Sequence, residues 1–264
     1  MTENAALNPD QIRAGLKSPI IGRRVLVYQT AASTNDLAWS FVSQPDSHGV
    51  CVFAEQQTAG RGRLGRKWLS EKGRSLLFSV LLMECPAAAE TLTLAAAVAV
   101  ADCMSKLSTA RVLIKWPNDV LLNDKKGCGI LVESRRTQAA TCYVIGIGIN
   151  VSQNAGFFDR LELDQPATGL ELETGKSVDR NELAARILAE LDHRIQQAAR
   201  DPQAVVTDWK HYNHQIGQRI ALRQADKEYR GTCLDIDPLE GLIVQLDRGP
   251  IQLFTASQTT VIQS

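Results

Sequence analysis

The sequence predicts an α/β (α+β) protein in which a mixed, largely antiparallel sheet carries helices on one face and is followed by a small carboxy-terminal β-barrel. Three observations predict it. Apolar runs of strand length recur between residues 24 and 150, and segments 92–107 and 180–199 have helical length. Beyond residue 214 the texture turns to short alternating runs split by Gly, Pro and Asp. A chain of 264 residues with 44% hydrophobic and 22% charged content is globular in composition and does not fit the collagenous, disulfide-scaffold or wholly disordered classes. Basic and acidic residues both number 29, so no whole-molecule field draws nucleic acid or anionic lipid, and any anion site has to be local.

Taken in order, residues 1–22 carry few large apolar groups in any period and predict a partly ordered tail with one short helix. RVLVY at 24–28 reads as a strand, and Ser33-Thr34-Asn35-Asp36 offers cap residues ahead of a helical run at 37–42. Residues 50–55 and 75–83 are strands flanking a long loop of Gly and Arg. The Ala-rich stretch inside 92–107 is about half the length a membrane span needs and reads as a buried helix. Four further strands are expected at 112–115, 120–122, 129–133 and 142–150, with Asn123-Asp124 as a turn. Residues 180–199 space Leu183, Ile187, Leu188, Leu191 and Ile195 by threes and fours, an amphipathic helix, and 205–212 continues helical after Pro202. The expected division is a tail at 1–22, a catalytic domain at 23–212 and the barrel at 214–264. No signal peptide is legible in the acidic amino terminus, and the six cysteines form no CxxC pair, so the thiols read as reduced and the location as cytoplasmic.

Residues 60–74, GRGRLGRKWLSEKGR, concentrate six cations against the single carboxylate of Glu71. Its glycines let backbone approach a ligand, and guanidiniums between them can grip carboxylate or phosphate in bidentate fashion. The GxGxxG spacing is no dinucleotide fingerprint, because no apolar helix opens at the third glycine. A solvated basic loop and a nucleic-acid contact are the other readings of the segment alone. KWPND at 115–119 cannot be plain helix or central strand, because Pro117 removes a donor and restricts its predecessor, so a rigid turn presents Asn118 and Asp119. His211 and His214, spaced by three, lack a third ligand nearby and read as surface residues, and no metal-binding set is expected.

Taken together these segments resemble the biotin protein ligase family, of the monofunctional type. The resemblance runs through Ser33-Thr34-Asn35, EQQTAGRGRLGRKW at 55–68, KWPND at 115–119, KKGCGILVE at 125–133 and IGIGIN at 145–150, then more loosely to the carboxy terminus. It implies a class II synthetase-like catalytic domain with a Src-homology-3-like barrel. It also implies an ATP- and Mg2+-dependent activation of biotin to biotinyl-5′-AMP, followed by transfer to a lysine of a biotin carboxyl carrier protein.

By motif matching, Ser33, Thr34, Asn35, Gln57, Gly60, Arg61, Arg63, Lys126, Gly129 and Gly148 would hold biotin. Arg61, Arg63, Arg66, Trp68, Asn118, Lys126, Asn150 and Thr168 would hold ATP or the adenylate, with Lys126, Asp119 and Arg63 catalytic. Two anions must be brought together in such a reaction, so fixed cations are its physical requirement. Residues 256–264 lack the family's Gly-Glu/Asp stretch and terminal arginine, and Gly169 stands where serine is common after Thr168. No amino-terminal DNA-binding domain is recognised, so operator binding is not expected, nor a nucleic-acid or membrane partner. An exposed sheet edge would let two chains pair as a homodimer. The rivals are a lipoate ligase and a non-catalytic sensor of the adenylate.

Overall fold

The computed structural model describes residues 5–263 apart from positions 17, 19, 139 and 238. In chain order its elements are α1 (Pro9–Ala14), β1 (Val25–Tyr28), α2 (Thr34–Trp39), β2 (Cys51–Ala54), a short 3-10 turn (Arg63–Gly65), β3 (Ser75–Leu82), α3 (Ala89–Leu107), β4 (Val112–Lys115), β5 (Asp119–Leu122), β6 (Lys125–Arg136) and β7 (Thr141–Asn150). There follow α4 (Ala155–Asp159), α5 (Leu170–Thr174), α6 (Arg180–Arg200), α7 (Pro202–Tyr212), β8 (Arg219–Gln224), β9 (Lys227–Asp237), β10 (Gly241–Leu246), β11 (Ile251–Phe254) and β12 (Thr259–Gln263). The first seven strands form one sheet in the order β1-β2-β3-β7-β6-β5-β4. Only β1 and β2 run parallel; every other pairing is antiparallel, so the sheet is mixed as predicted. The β5–β6 hairpin turns at Asn123-Asp124, both at positive φ, which is the left-handed geometry a two-residue hairpin favours.

Side chains of a strand alternate between faces, and the two faces of this sheet do different work. Leu76, Phe78, Val80 and Leu82 of β3 and Ile145, Ile147 and Ile149 of β7 join one core with α3. Helix α3 is buried nearly all round because α6 and α7 cover its far side, which explains an apolar, Ala-rich sequence with little amphipathicity. α6 is the amphipathic outer helix and buries Leu183, Ile187, Leu188, Leu191 and Ile195. The opposite face carries Ser79 and Leu81, and there α2 packs through Ala38 and Trp39 on Val52, Leu81 and Val144. The expectation of helices on one face is corrected to that extent. Helix α2 begins three residues earlier than its predicted run, with Ser33 as N-cap, so Thr34, Asn35 and Asp36 form its first turn.

Residues 5–22 do more than the expected tail. Asn8 caps α1 by accepting from the backbone N–H groups of Asp10 and Gln11, and Leu7, Ile12 and Ile21 are buried in the main core. The Glu55–Arg180 pair, 4% and 1% exposed and 2.7 Å apart, is completed by this segment: Leu7 N donates to Glu55 Oε1 and Arg180 Nη2 donates to the Ala5 carbonyl.

The last five strands form an antiparallel sheet in the order β11-β10-β9-β8-β12. The predicted barrel is corrected to an open sheet. Its edge strands β11 and β12 are joined by the turn at 255–258 and not by a ladder, and β11 spans only four residues. All six cysteines are free, and burial raises their thiols where a shift is resolved, Cys103 and Cys233 to about 12.

Candidate active site

The site lies on the α2 face of the large sheet, around a cavity of 630 Å3. Its floor is β6 and β7, where Gly129 pairs with Gly148 and Leu131 with Gly146. A Cβ at Gly148 would stand 2.6 Å from the Trp68 indole and one at Gly129 2.8 Å, so the glycines exist as a bed for a flat group and Trp68 lies in it. Trp68 Nε1 is buried there without a partner. Trp68 is placed by its own loop: Trp68 N donates to the Gly60 carbonyl, and a Cβ at Gly60 would meet Trp68 O at 2.6 Å. Phe157 and Phe158 of α4, in edge contact at 5.3 Å between ring centres, and Leu161 form an apolar wall.

One end of the cavity is polar and closed. Thr34 N donates to Gln57 Oε1 at 2.7 Å, and Thr34 Oγ1 lies 3.1 Å from the same oxygen. Ser79 Oγ stands 2.8 Å from Thr34 Oγ1 and 2.6 Å from Asn35 Oδ1. Gly146 leaves room for Asn35, whose Oδ1 a Cβ there would meet at 2.2 Å.

The other end is charged. Between Val120 paired with Cys128 and Leu121 paired with Lys126, the β5–β6 register shifts, leaving Gly127 as an extra residue. Such a bulge re-aims a side chain. Strict alternation would send Lys126 to the core with Cys128; the bulge sends it into the cavity, with Nζ 2.7 Å from Asp119 Oδ1 and 5.6 Å from the Trp68 ring centre. Gln165 Nε2 donates to Asp119 Oδ2 at 2.6 Å and its Oε1 accepts from Lys115 Nζ at 2.8 Å. Burial lowers the pKa of Lys115, with Asp119 opposing. The Trp116–Pro117 bond is cis, and this turn is held by Asn118 Nδ2 donating to the Ile130 carbonyl and Trp116 N donating to Gln215 Oε1.

The loop cations are dispersed. Arg61 is held by Asp36 at 2.7 Å and Glu133 at 3.1 Å, which raises its pKa through the Asp36 hydrogen bond first and lowers that of Asp36. Arg63 donates to Asn118 Oδ1 at 3.1 Å, to the Thr259 carbonyl at 3.0 Å and to the Ala256 carbonyl. Burial pushes its guanidinium down to about 10, against the pull of Asp119. Arg66 pairs with Asp164 at 3.1 Å and is exposed.

Of the residues named from sequence, Ser33, Thr34, Asn35, Gln57, Arg61, Arg63, Arg66, Trp68, Asn118, Asp119, Lys126, Gly129, Gly148 and Asn150 line the cavity. Gly60 shapes the loop behind it, and Thr168 turns aside to donate to Glu173 Oε1 at 2.7 Å. Sequence reasoning missed Ser79, Lys115, Phe157, Phe158 and Gln165. The second serine of the otherwise apolar run SLLFSVLL and the adjacent phenylalanines after IGIGIN were the available signals.

Comparison with known proteins now bears on this geometry. Residues 26–150 match the Biotin/lipoate A/B protein ligase family. The biotin–[acetyl-CoA-carboxylase] ligase of Mycobacterium tuberculosis is 33% identical over all of this chain and 97% of its own length. This chain belongs to the biotin protein ligase family. By that membership it is a ligase. The bifunctional ligase/repressor BirA of Escherichia coli is 35% identical over 91% of this chain and 74% of its own. Among solved structures, the Aquifex aeolicus biotin protein ligase in complex with biotin and ATP superposes with a TM-score of 0.75 at 25% identity, covering 92% of this chain and all of that one.

Proposed function

We propose that the protein is an ATP-dependent biotin protein ligase that makes biotinyl-5′-AMP and transfers the biotinyl group to a lysine of a biotin carboxyl carrier protein. One observation carries the reading: a single cavity grades from a closed polar end, through a flat apolar bed, to the Lys115–Asp119–Lys126 cluster. That sequence of environments fits a ureido bicycle with an acid tail that meets a nucleotide at the charged end.

In the first step a biotin carboxylate oxygen attacks the α-phosphorus, the bond to the bridging oxygen breaks and pyrophosphate leaves. Lys126 and Arg63 offset the repulsion between the two anions, with Arg66 and Arg61 at the rim. In the second step the carrier lysine's neutral amine attacks the acyl carbon, AMP leaves with the electron pair, and Asp119 takes the amine's proton. Magnesium would neutralise triphosphate charge. Asn118, Asp119 and Asp164 supply hard oxygen donors at that end, and among the described residues no three His, Cys, Asp or Glu side chains converge, so phosphate oxygens and water would complete its shell.

A cytoplasmic location belongs to the same reading, since six free thiols suit a reducing compartment and no helix among the described residues is long and apolar enough to cross a membrane. A homodimer would use β1, an edge of the large sheet that is not fully buried. The test mixes protein, ATP, magnesium, radiolabelled biotin and a carrier domain. Label reaches the carrier with the wild type and not with Lys126→Ala. Adenylate without transfer would indicate a sensor, and no biotin-dependent adenylation would reject both.

A further inference from the structure

The carboxylate assigned to take the carrier's proton is already engaged at both oxygens. Lys126 Nζ stands 2.7 Å from Asp119 Oδ1, and Gln165 Nε2 donates to Oδ2 at 2.6 Å. Gln165 is fixed from its other end as well, where its Oε1 accepts from Lys115 Nζ at 2.8 Å. An ammonium has no acceptor and a carboxylate has no proton to donate, so the amide can sit between them in only one sense. Register brings the two charged partners together, since Lys115 and Asp119 face each other across the β4–β5 turn. Backbone contacts place the amide: Lys126 N donates to the Pro166 carbonyl at 2.8 Å and Thr168 N to the Lys126 carbonyl at 3.0 Å, which clips 166–168 to β6. Immediately before the clip, residues 162–164 are exposed and line the rim of the cavity.

We propose that Gln165 is the positioning residue that selects an amine over water as acceptor, by keeping Asp119 occupied while the adenylate waits for a carrier lysine. Its N–H gives Asp119 what the incoming amine will give, a donor aimed at the carboxylate, so the amide holds the amine's seat until the amine replaces it. Water competes for the same adenylate. Its oxygen would bond to the acyl carbon, the bond from that carbon to the phosphate oxygen would break, AMP would leave with the electron pair, and Asp119 would take the water's proton. That reaction wastes the ATP. Both hydrogen bonds of the amide go to charged groups, the stronger kind, and a lone water gains too little by displacing it. A carrier entering the cavity meets the exposed 162–164 strip first and draws Gln165 aside with it. The inference rests on the ligase reading, and it adds how the second step is kept for the protein acceptor.

The experiment loads the protein with labelled biotin and ATP, removes the excess by rapid gel filtration and follows the bound adenylate without carrier. Intact biotinyl-5′-AMP is separated from free biotin and AMP as label is released. Gln165→Ala should raise the formation of free biotin and AMP by about tenfold or more, a part of what a general base can contribute. Gln165→Met, which keeps the bulk and removes both hydrogen bonds, should do the same. Asp119→Asn added to Gln165→Ala should cancel the rise, because the base is then missing. With carrier present, the ratio of free to carrier-bound biotin should climb in both single variants. Unchanged hydrolysis in both would overturn the proposal. So would a rise in the Ala variant alone, which would make the side chain a plug, a rise that survives Asp119→Asn, or label that leaves as intact adenylate, which would make Gln165 a ligand contact. A wild-type protein that forms no adenylate from biotin and ATP would overturn the ligase reading itself.

Discussion

Lysine and arginine side chains of equal charge end in different environments here, and what surrounds each decides what it can do. Lys126 enters the cavity because Gly127 breaks the alternation of β6, whereas Arg61 is already neutralised by Asp36 and Glu133 at the rim. Arg180 is the extreme case. It is fully buried, pairs with Glu55 and donates to the carbonyls of Ser75 and Ala5. Removing one member of such a pair strands a charge in the core, so Glu55→Ala should lower stability by about 3 to 5 kcal/mol, seen as a fall in the urea midpoint at unchanged slope. Replacing both, Glu55→Ala with Arg180→Met, should recover much of that loss. An additive double variant would show the charge was never the issue.

At the scale of elements, the loop at 60–74 and the bed formed by β6 and β7 are built for each other. Gly148→Ala puts a methyl group 2.6 Å from the Trp68 ring, and the ring rather than the sheet must give way. The expected outcome is faster proteolysis of the loop and an increase of about tenfold or more in biotin KM. An unchanged cleavage rate would mean the indole is not held there. The linker between α7 and β8 is a second working element, since Gln215 accepts from the Trp116 backbone N–H in the 115–119 turn and Asn213 donates to the Ile114 carbonyl of β4 just before it. His214 beside them has a buried Nδ1 without a partner, and burial depresses its pKa below 6.5. Its folded pKa lies below its unfolded one, so the unfolded chain takes up the proton first as pH falls through 6.5. Stability is then lost on acidification. His214→Gln should flatten the fall in Tm between about pH 7 and 5, and an equally steep fall would exclude this histidine as its source. These details were illegible in the sequence for a physical reason: strands and long helices announce themselves by period, but the bulge at Gly127, the side on which Ser79 points and the reach of Gln165 depend on register, which period does not encode.

For the whole molecule the legible part was the order of strands and helices and the pairing of the GRGR and KWPND segments in one cavity, since each motif carries its own chemistry. Less visible was how the pieces lean on one another. Residues 5–22 have too few apolar groups to suggest a docked segment, yet Leu7, Ile12 and Ile21 enter the main core. The small sheet puts Arg223, Thr260, Val261 and Ile262 on the cavity wall, and the 60–74 loop reaches across to it: Arg63 ends on the carbonyls of Ala256 and Thr259 while also holding Asn118. One guanidinium thereby ties the loop, the 115–119 turn and the carboxy-terminal sheet together. Its five donors in a fixed plane suit three acceptors at once, which a lysine's point charge does not. Arg63→Lys should therefore keep the charge yet loosen the junction. Hydrogen exchange should rise in both the 60–68 loop and the 255–261 turn, with the helices α3 and α6 unaffected, and adenylate retention should fall together with that protection. Exchange that rises only in the loop would show that the small sheet stands without this arginine, and that Arg63 serves the ligand alone.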